Sequence, residues 1–154
     1  MSSRPKRRNA EQRASRELSR ADYQLLAQFR FLIARFLAFS ARAARKAGLA
    51  PRQHQALLAI KGHPGSSHVT VGDLAQRLGI RDHSAVGLVN RLVDSGYLVR
   101  RTDTQDRRRA LLFLTPMAEK ALAALSAAHR EELRRIAPLL RPLLMQVGSS
   151  DSRP

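Results

Sequence analysis

The chain has 154 residues, enough for one domain with a real hydrophobic core, and 44% of them are apolar. Against 12 Asp and Glu stand 28 Lys and Arg, a formal charge of +16 and a pI near 11.8. With no cysteine, disulfides, thiol redox sensing and cysteine-ligated zinc are all excluded.

Self-repulsion of that size persists where a polyanion compensates it, so nucleic acid is the first partner to consider and an anionic membrane the second. Residues 1–17, MSSRPKRRNAEQRASRE, are basic and aperiodic and read as a mobile arm. No apolar segment follows to make a secretory signal, and the expected location is cytoplasmic, on the nucleoid. The greasiest stretch, FRFLIARFLAF, is broken by Arg30 and Arg35 and falls well short of the roughly 20 residues a bilayer span needs.

From Leu18 to Ala47 the spacing predicts a helix. Leu25, Phe29, Leu32, Ile33 and Phe36 recur at helical intervals, Ser19 with Asp22 fits a capping box, and Gly48 is the stop. Leu26, Phe31, Leu37 and Phe39 widen the apolar surface beyond one stripe, so two sides need covering, one of them by a second subunit. Pro51 opens a second helix through Ile60, closed by Gly62, and KGHPGSSH is a loop by composition. Thr70 and Asp73 form another box before VGDLAQRLGI. A turn leads to DHSAVGLVNRLVDSGY, a helix expected to turn Val86, Val89, Leu92 and Val93 inward and to end at Gly96. YLVRR and ALLFLT read as the strands of a hairpin. Thr115 and Pro116 start a last helical region reaching about Val147, with Leu122, Leu125, Leu133, Ile136, Leu140, Leu143 and Val147 on its apolar faces. Pro138 and Pro142 are expected to split it into a long helix and a short terminal one.

The segment Val71 to Leu88 carries the chemistry. Two helices crossing at a tight turn need a small residue where backbones meet, and Ala75 supplies it. They need a left-handed turn residue, and Gly79 stands four positions on. Leu74, Leu78, Ile80, Ala85 and Leu88 occupy the apolar wedge positions of a helix-turn-helix. The second helix would then read the major groove with His83, Ser84, Gly87, Asn90 and Arg91, Gly87 letting the backbone approach closely. The hairpin behind it is a wing. Its arginines, Arg107, Arg108 and Arg109, suit the negative potential of a minor groove. Asp106 is the local partner that orients Arg108, and Arg100 and Arg101 on the stem can meet phosphates.

These features resemble the MarR family of bacterial winged-helix regulators over most of Tyr23 to Val147. The family's wing pattern stands as Asp106, Arg108 and Leu114–Thr115. The end of its recognition helix stands as Val89, Arg91, Leu92 and Gly96, and HQALLAIKG is similar to its second helix. The resemblance implies a fold that is mainly α with a small β-hairpin wing. It divides residues 18–148 into a DNA-binding part at about 51–115 and dimerisation helices at about 18–47 and 116–147, leaving 149–154 as a tail. It further implies a homodimer on a palindromic operator, usually a repressor, released in many members by a small ligand. Phe39, Arg42 and His54 are the candidates for lining such a pocket. The chain departs from the family at Ala50, where a Ser or Thr cap is usual, at Gly87, where a larger residue is usual, and in lacking cysteine.

No metal site is expected, because His54, His63 and His68 have no cysteine or paired carboxylate near them in sequence. No cofactor is implied, and no nucleophile, phosphate loop or carboxylate pair argues for an enzyme. Two other readings compete. One is a basic RNA- or nucleoid-associated protein without sequence readout, disfavoured by sparse aromatics at 5%. The other is a lipid-surface binder, which requires Phe29 and Phe36 to be exposed.

Overall fold

The computed structural model describes residues 18–65 and 68–149; the basic arm at 1–17 and the last residues of the tail lie outside them. The elements in chain order are α1 (Arg20–Lys46), α2 (Pro51–Lys61), β1 (Val69–Thr70), α3 (Val71–Leu78), α4 (Asp82–Asp94), β2 (Leu98–Thr102), β3 (Ala110–Leu114) and α5 (Pro116–Ser149).

The helix ends form where the side chains dictate. Before α1, the Asp22 carboxylate accepts the Ser19 N–H at 2.8 Å and the Ser19 hydroxyl accepts the Asp22 N–H at 3.2 Å. Thr70 and Asp73 repeat this at α3, with distances of 2.9 and 3.2 Å. At α2 Ala50 has no side-chain acceptor to give, yet Gln53 Oε1 still accepts the Ala50 N–H at 2.9 Å, so half of a capping box survives. Thr115 starts α5 by accepting the Ala118 N–H at 3.3 Å, while its hydroxyl donates to the Gly96 carbonyl at 2.7 Å. That second bond ties the start of α5 to the end of α4.

Contacts gather into two compact units. Residues 36–135 form one, and residues 18–35 with 136–149 are the described part of the other. In the first, the second half of α1 and the first half of α5 share one core with the helix-turn-helix. Ala44, Leu49, Leu57, Leu74, Leu88, Val89, Leu92, Leu98, Leu112, Leu122 and Leu125 are buried together. Each large side chain taken fully out of water contributes about 1.5–3 kcal/mol before entropic costs. In the second unit Leu32 and Ile136 are buried, whereas Tyr23, Leu26, Phe31, Leu139, Leu144, Met145 and Val147 are exposed.

The sheet holds a strand that alternation in the sequence did not indicate. β1, only two residues long, pairs antiparallel with β3 through Val69 with Leu112 and Thr70 with Leu111. The sheet order is therefore β1-β3-β2, with β3 central. A two-residue strand has no room for a period, so only its partner reveals it.

Two expectations are corrected. Pro138 and Pro142 lie inside a continuous α5. Each proline removes one donor from the ladder, its fixed φ is helical, and the bonds of flanking residues carry the helix past it. Val86 is not turned inward but is 43% exposed. The buried stripe of α4 is Ala85, Leu88, Val89 and Leu92. At about 100° per residue Val86 falls beyond the edge of that stripe, while Val93, about two turns further on and roughly 20° nearer the stripe, is half-buried.

Candidate nucleic-acid interface

The turn between α3 and α4 is set by Gly79, which adopts φ 62° and ψ 38°, a left-handed conformation that costs a side chain roughly 1–2 kcal/mol. The Ile80 N–H donates to the Ala75 carbonyl at 3.0 Å, and Ala75 is 1% exposed, so the helices cross over a methyl group. With Ala85, Leu88 and Leu92 buried, the opposite face of α4 carries His83, Ser84, Asn90 and Arg91, all exposed, with Gly87 half-buried among them.

Arg91 folds back along the helix over Gly87. A Cβ built on Gly87 would lie 3.6 Å from Arg91 Nη1, an ordinary contact, so the helix has space there for alanine. Gly87→Ala is accordingly expected to stabilise the fold by about 0.5–1 kcal/mol, because glycine is that much worse inside a helix. If close backbone approach is the reason for glycine, the same variant binds duplex DNA more weakly. Thermal unfolding and fluorescence anisotropy read the two effects separately, and a variant unchanged in both removes any role for this glycine.

The wing tip, residues 103–109, is closed by its aspartates. The Asp103 carboxylate accepts the Gln105 N–H at 2.9 Å, and the Asp103 N–H donates to the Arg109 carbonyl at 2.9 Å. Asp106 Oδ1 accepts the backbone N–H of Arg108 at 3.0 Å, and its carbonyl accepts the Arg109 N–H at 2.9 Å. Asp106 thus grips Arg108 by its main chain rather than by its guanidinium. Arg107, Arg108 and Arg109 are exposed, and among the described residues none of the three enters a salt bridge. The tip spends its acids on folding the turn and leaves its cations to solvent.

The stem arginines differ from those at the tip. Arg101 lies over the ring of Phe113, 4.9 Å from its centroid, and the same ring packs against His68 at 4.5 Å between centroids. Arg100 donates through Nη2 to the side-chain carbonyl of Asn90, a bond from wing stem to recognition helix that no spacing in the sequence indicated.

Two of the three candidates for a ligand pocket, Phe39 and His54, meet at His129 on α5, a residue not singled out from the sequence. The Phe39 ring stands edge-on to it with centroids 5.7 Å apart, Phe36 does the same at 5.9 Å, and His54 stacks on it at 4.9 Å and 31°. Arg42 is exposed. The Leu125 carbonyl can only accept, so His129 Nδ1 carries a proton, and in the neutral ring Nε2 accepts the Ser40 hydroxyl at 2.7 Å. The only signal in the sequence was one turn of helix between Leu125 and His129. Elsewhere an open cleft of about 380 Å³ is lined by His63, Pro64, Asp73, Gln76 and Arg77. There Thr70, through its hydroxyl and N–H, holds the Asp73 carboxyl below its ordinary value.

Burial, with His129 beside it, holds His54 below its ordinary value of 6.5. The unfolded chain therefore takes the proton first. Stability from this residue is complete above about pH 6.5 and is lost as the pH falls from there towards the depressed folded value. The urea midpoint of the protein should drop between about pH 7.5 and pH 5.5, and His54→Gln should flatten part of that drop. Identical slopes for the two proteins would show that His54 carries none of it.

Residues 47–109 match the sequence profile of the MarR family. A Thauera aromatica protein described as a candidate transcriptional regulatory protein for the hcr operon is 34% identical over 96 residues, which cover 62% of this chain and 56% of that one. The chain spans about half the length of the curated relatives it matches. Among solved structures, AbsC, a MarR family transcriptional regulator from Streptomyces coelicolor, aligns with a TM-score of 0.70 at 16% identity, covering 90% of this chain and 94% of its own. The Staphylococcus aureus MepR–DNA complex aligns at 0.63 and 19%, covering 87% and 99%. The similarity to the MarR family thus lies in residues 47–109, which hold the helix-turn-helix, the first wing strand and the wing tip.

Proposed function

We propose that this chain is a transcriptional regulator that binds duplex DNA as a homodimer, with α4 in the major groove and the wing tip in the adjacent minor groove. The observation that carries this reading is the pairing of an exposed polar face on α4 with three exposed wing arginines that enter no salt bridge among the described residues, joined through the Asn90–Arg100 bond. His83 and Ser84 stand in the first turn of α4, where the positive helix end favours phosphate. Arg91 serves base edges, Asn90 stands beside it, and Arg107, Arg108 and Arg109 serve the minor groove. Arg101, held over Phe113, lies back on the stem and serves the phosphate backbone. MepR, whose fold this chain shares, has been solved on DNA.

Pairing is supported by the apolar side chains that α1 and α5 leave exposed, among them Tyr23, Leu26, Phe31, Leu139, Leu144 and Met145. Two identical winged units read a palindrome, with half-sites set apart by the helical repeat of DNA. Repression, and release by a small ligand bordered by Phe39, Arg42 and His54, complete the reading and rest on the family resemblance alone. Among the described residues no helix is long and apolar enough to cross a membrane, and Phe29 and Phe36 are half-buried rather than displayed to a lipid surface.

The test is a selection of bound duplexes from a random library, with sedimentation of the protein alone. We expect a dimer and an enriched inverted repeat whose affinity falls steeply with salt as counterions are released. A monomer, or equal binding to mixed duplexes and folded RNA, favours instead a basic protein that holds nucleic acid without reading it.

A further inference from the structure

The bond between Arg100 and Asn90 decides which half of the asparagine amide is free. A primary amide carries an acceptor oxygen on one side of Cγ and a two-proton donor nitrogen on the other. Here the oxygen is turned to the guanidinium of Arg100, and both residues are exposed. The NH2 group is then what Asn90 offers outward, from the same face of α4 as Arg91 and Gly87. An asparagine that selects adenine uses both halves, accepting from N6–H and donating to N7. With its oxygen held towards Arg100, the Asn90 amide is turned away from the two-sided pose that accepts N6–H while donating to N7.

We infer that Arg100 turns the donor side of Asn90 towards the major groove, favouring a base whose edge there carries an oxygen acceptor, guanine O6 or thymine O4, over adenine, which presents its N6–H2 donor at that place. Arg100 is in this sense a positioning residue, and the specificity is written on β2 as much as on the recognition helix. Arg91, laid back over Gly87, adds a second donor group on the same face. The recognition surface of α4 and its neighbour on the stem thus offer donors to the groove. The inference rests on the reading of the chain as a sequence-specific DNA binder.

The experiment is selection from a random duplex library with the full chain as wild type, Arg100→Ala, Asn90→Ala and the double variant, thermal unfolding confirming that each is folded. For the wild type, one position in each half-site should prefer guanine or thymine to adenine. Asn90→Ala should flatten that position. Arg100→Ala should admit adenine there, with preference for the oxygen-bearing bases falling by about fivefold or more, the lower end of what a bidentate contact discriminates. At that position the double variant should match Asn90→Ala. A loss of affinity in Arg100→Ala that is uniform across sequences, with a salt slope smaller by about one and unchanged preferences, would make Arg100 a phosphate contact and overturn the inference alone. A wild type that enriches no sequence would overturn the DNA-reading assignment itself, and the inference with it.

Discussion

Replacing Arg108 with alanine is expected to weaken binding to a selected duplex by about 1–3 kcal/mol, roughly five- to 150-fold, without a matching loss of stability. Arg108 is exposed and forms no salt bridge among the described residues, so folding does not need its guanidinium. The turn keeps its shape through the backbone N–H of Arg108, which the variant retains, and through the Asp106 carboxylate. Asp106→Ala removes that support while leaving all three arginines in place. It should therefore also weaken binding, but through a looser wing, with a salt slope close to that of the wild type. The two variants separate charge from pre-organisation. An Arg108→Ala protein that binds as tightly as the wild type takes the wing tip out of the mechanism.

The largest stability effect is expected at Leu92, which is fully buried at the centre of the stripe that seats α4. Leu92→Ala should destabilise by about 2–5 kcal/mol, the lost transfer energy plus the cavity left behind. Val86→Ala, on the same helix, should stay within about 0.5 kcal/mol because Val86 is 43% exposed. Urea titrations at one fixed protein concentration measure both, since pairing of subunits would otherwise shift the midpoints. Equal costs for the two variants would contradict the orientation of α4, and with it the choice of residues that face DNA.

That orientation shows where sequence and structure part. Both readings place His83, Ser84, Asn90 and Arg91 on the outward side of the helix, because one turn of spacing and a run of small and apolar residues fix its buried side. Val86 lies just past the edge of the buried stripe, which only the positions actually buried on α4 define, and it stays in solvent. The caps at Ser19, Thr70 and Thr115, the turn at Gly79 and the hairpin are local devices. Their partners lie three or four residues away, or just across one turn, so a linear reading finds them. The path of α5 through Pro138 and Pro142 did not follow from local rules, because a proline weakens a helix without dictating whether its neighbours hold it.

The sequence by itself determined the helix-turn-helix, the arginine wing and the surplus of positive charge, because each is written in neighbouring residues whose interactions are short-range. Only the tertiary structure decided that β1 joins the sheet, that His54, Phe36 and Phe39 converge on His129, and that Arg100 takes the carbonyl of Asn90. Those contacts join residues far apart in the chain, or side chains whose rotamers are chosen by what packs beside them. Spacing along a chain does not encode which of two exposed polar groups turns to the other.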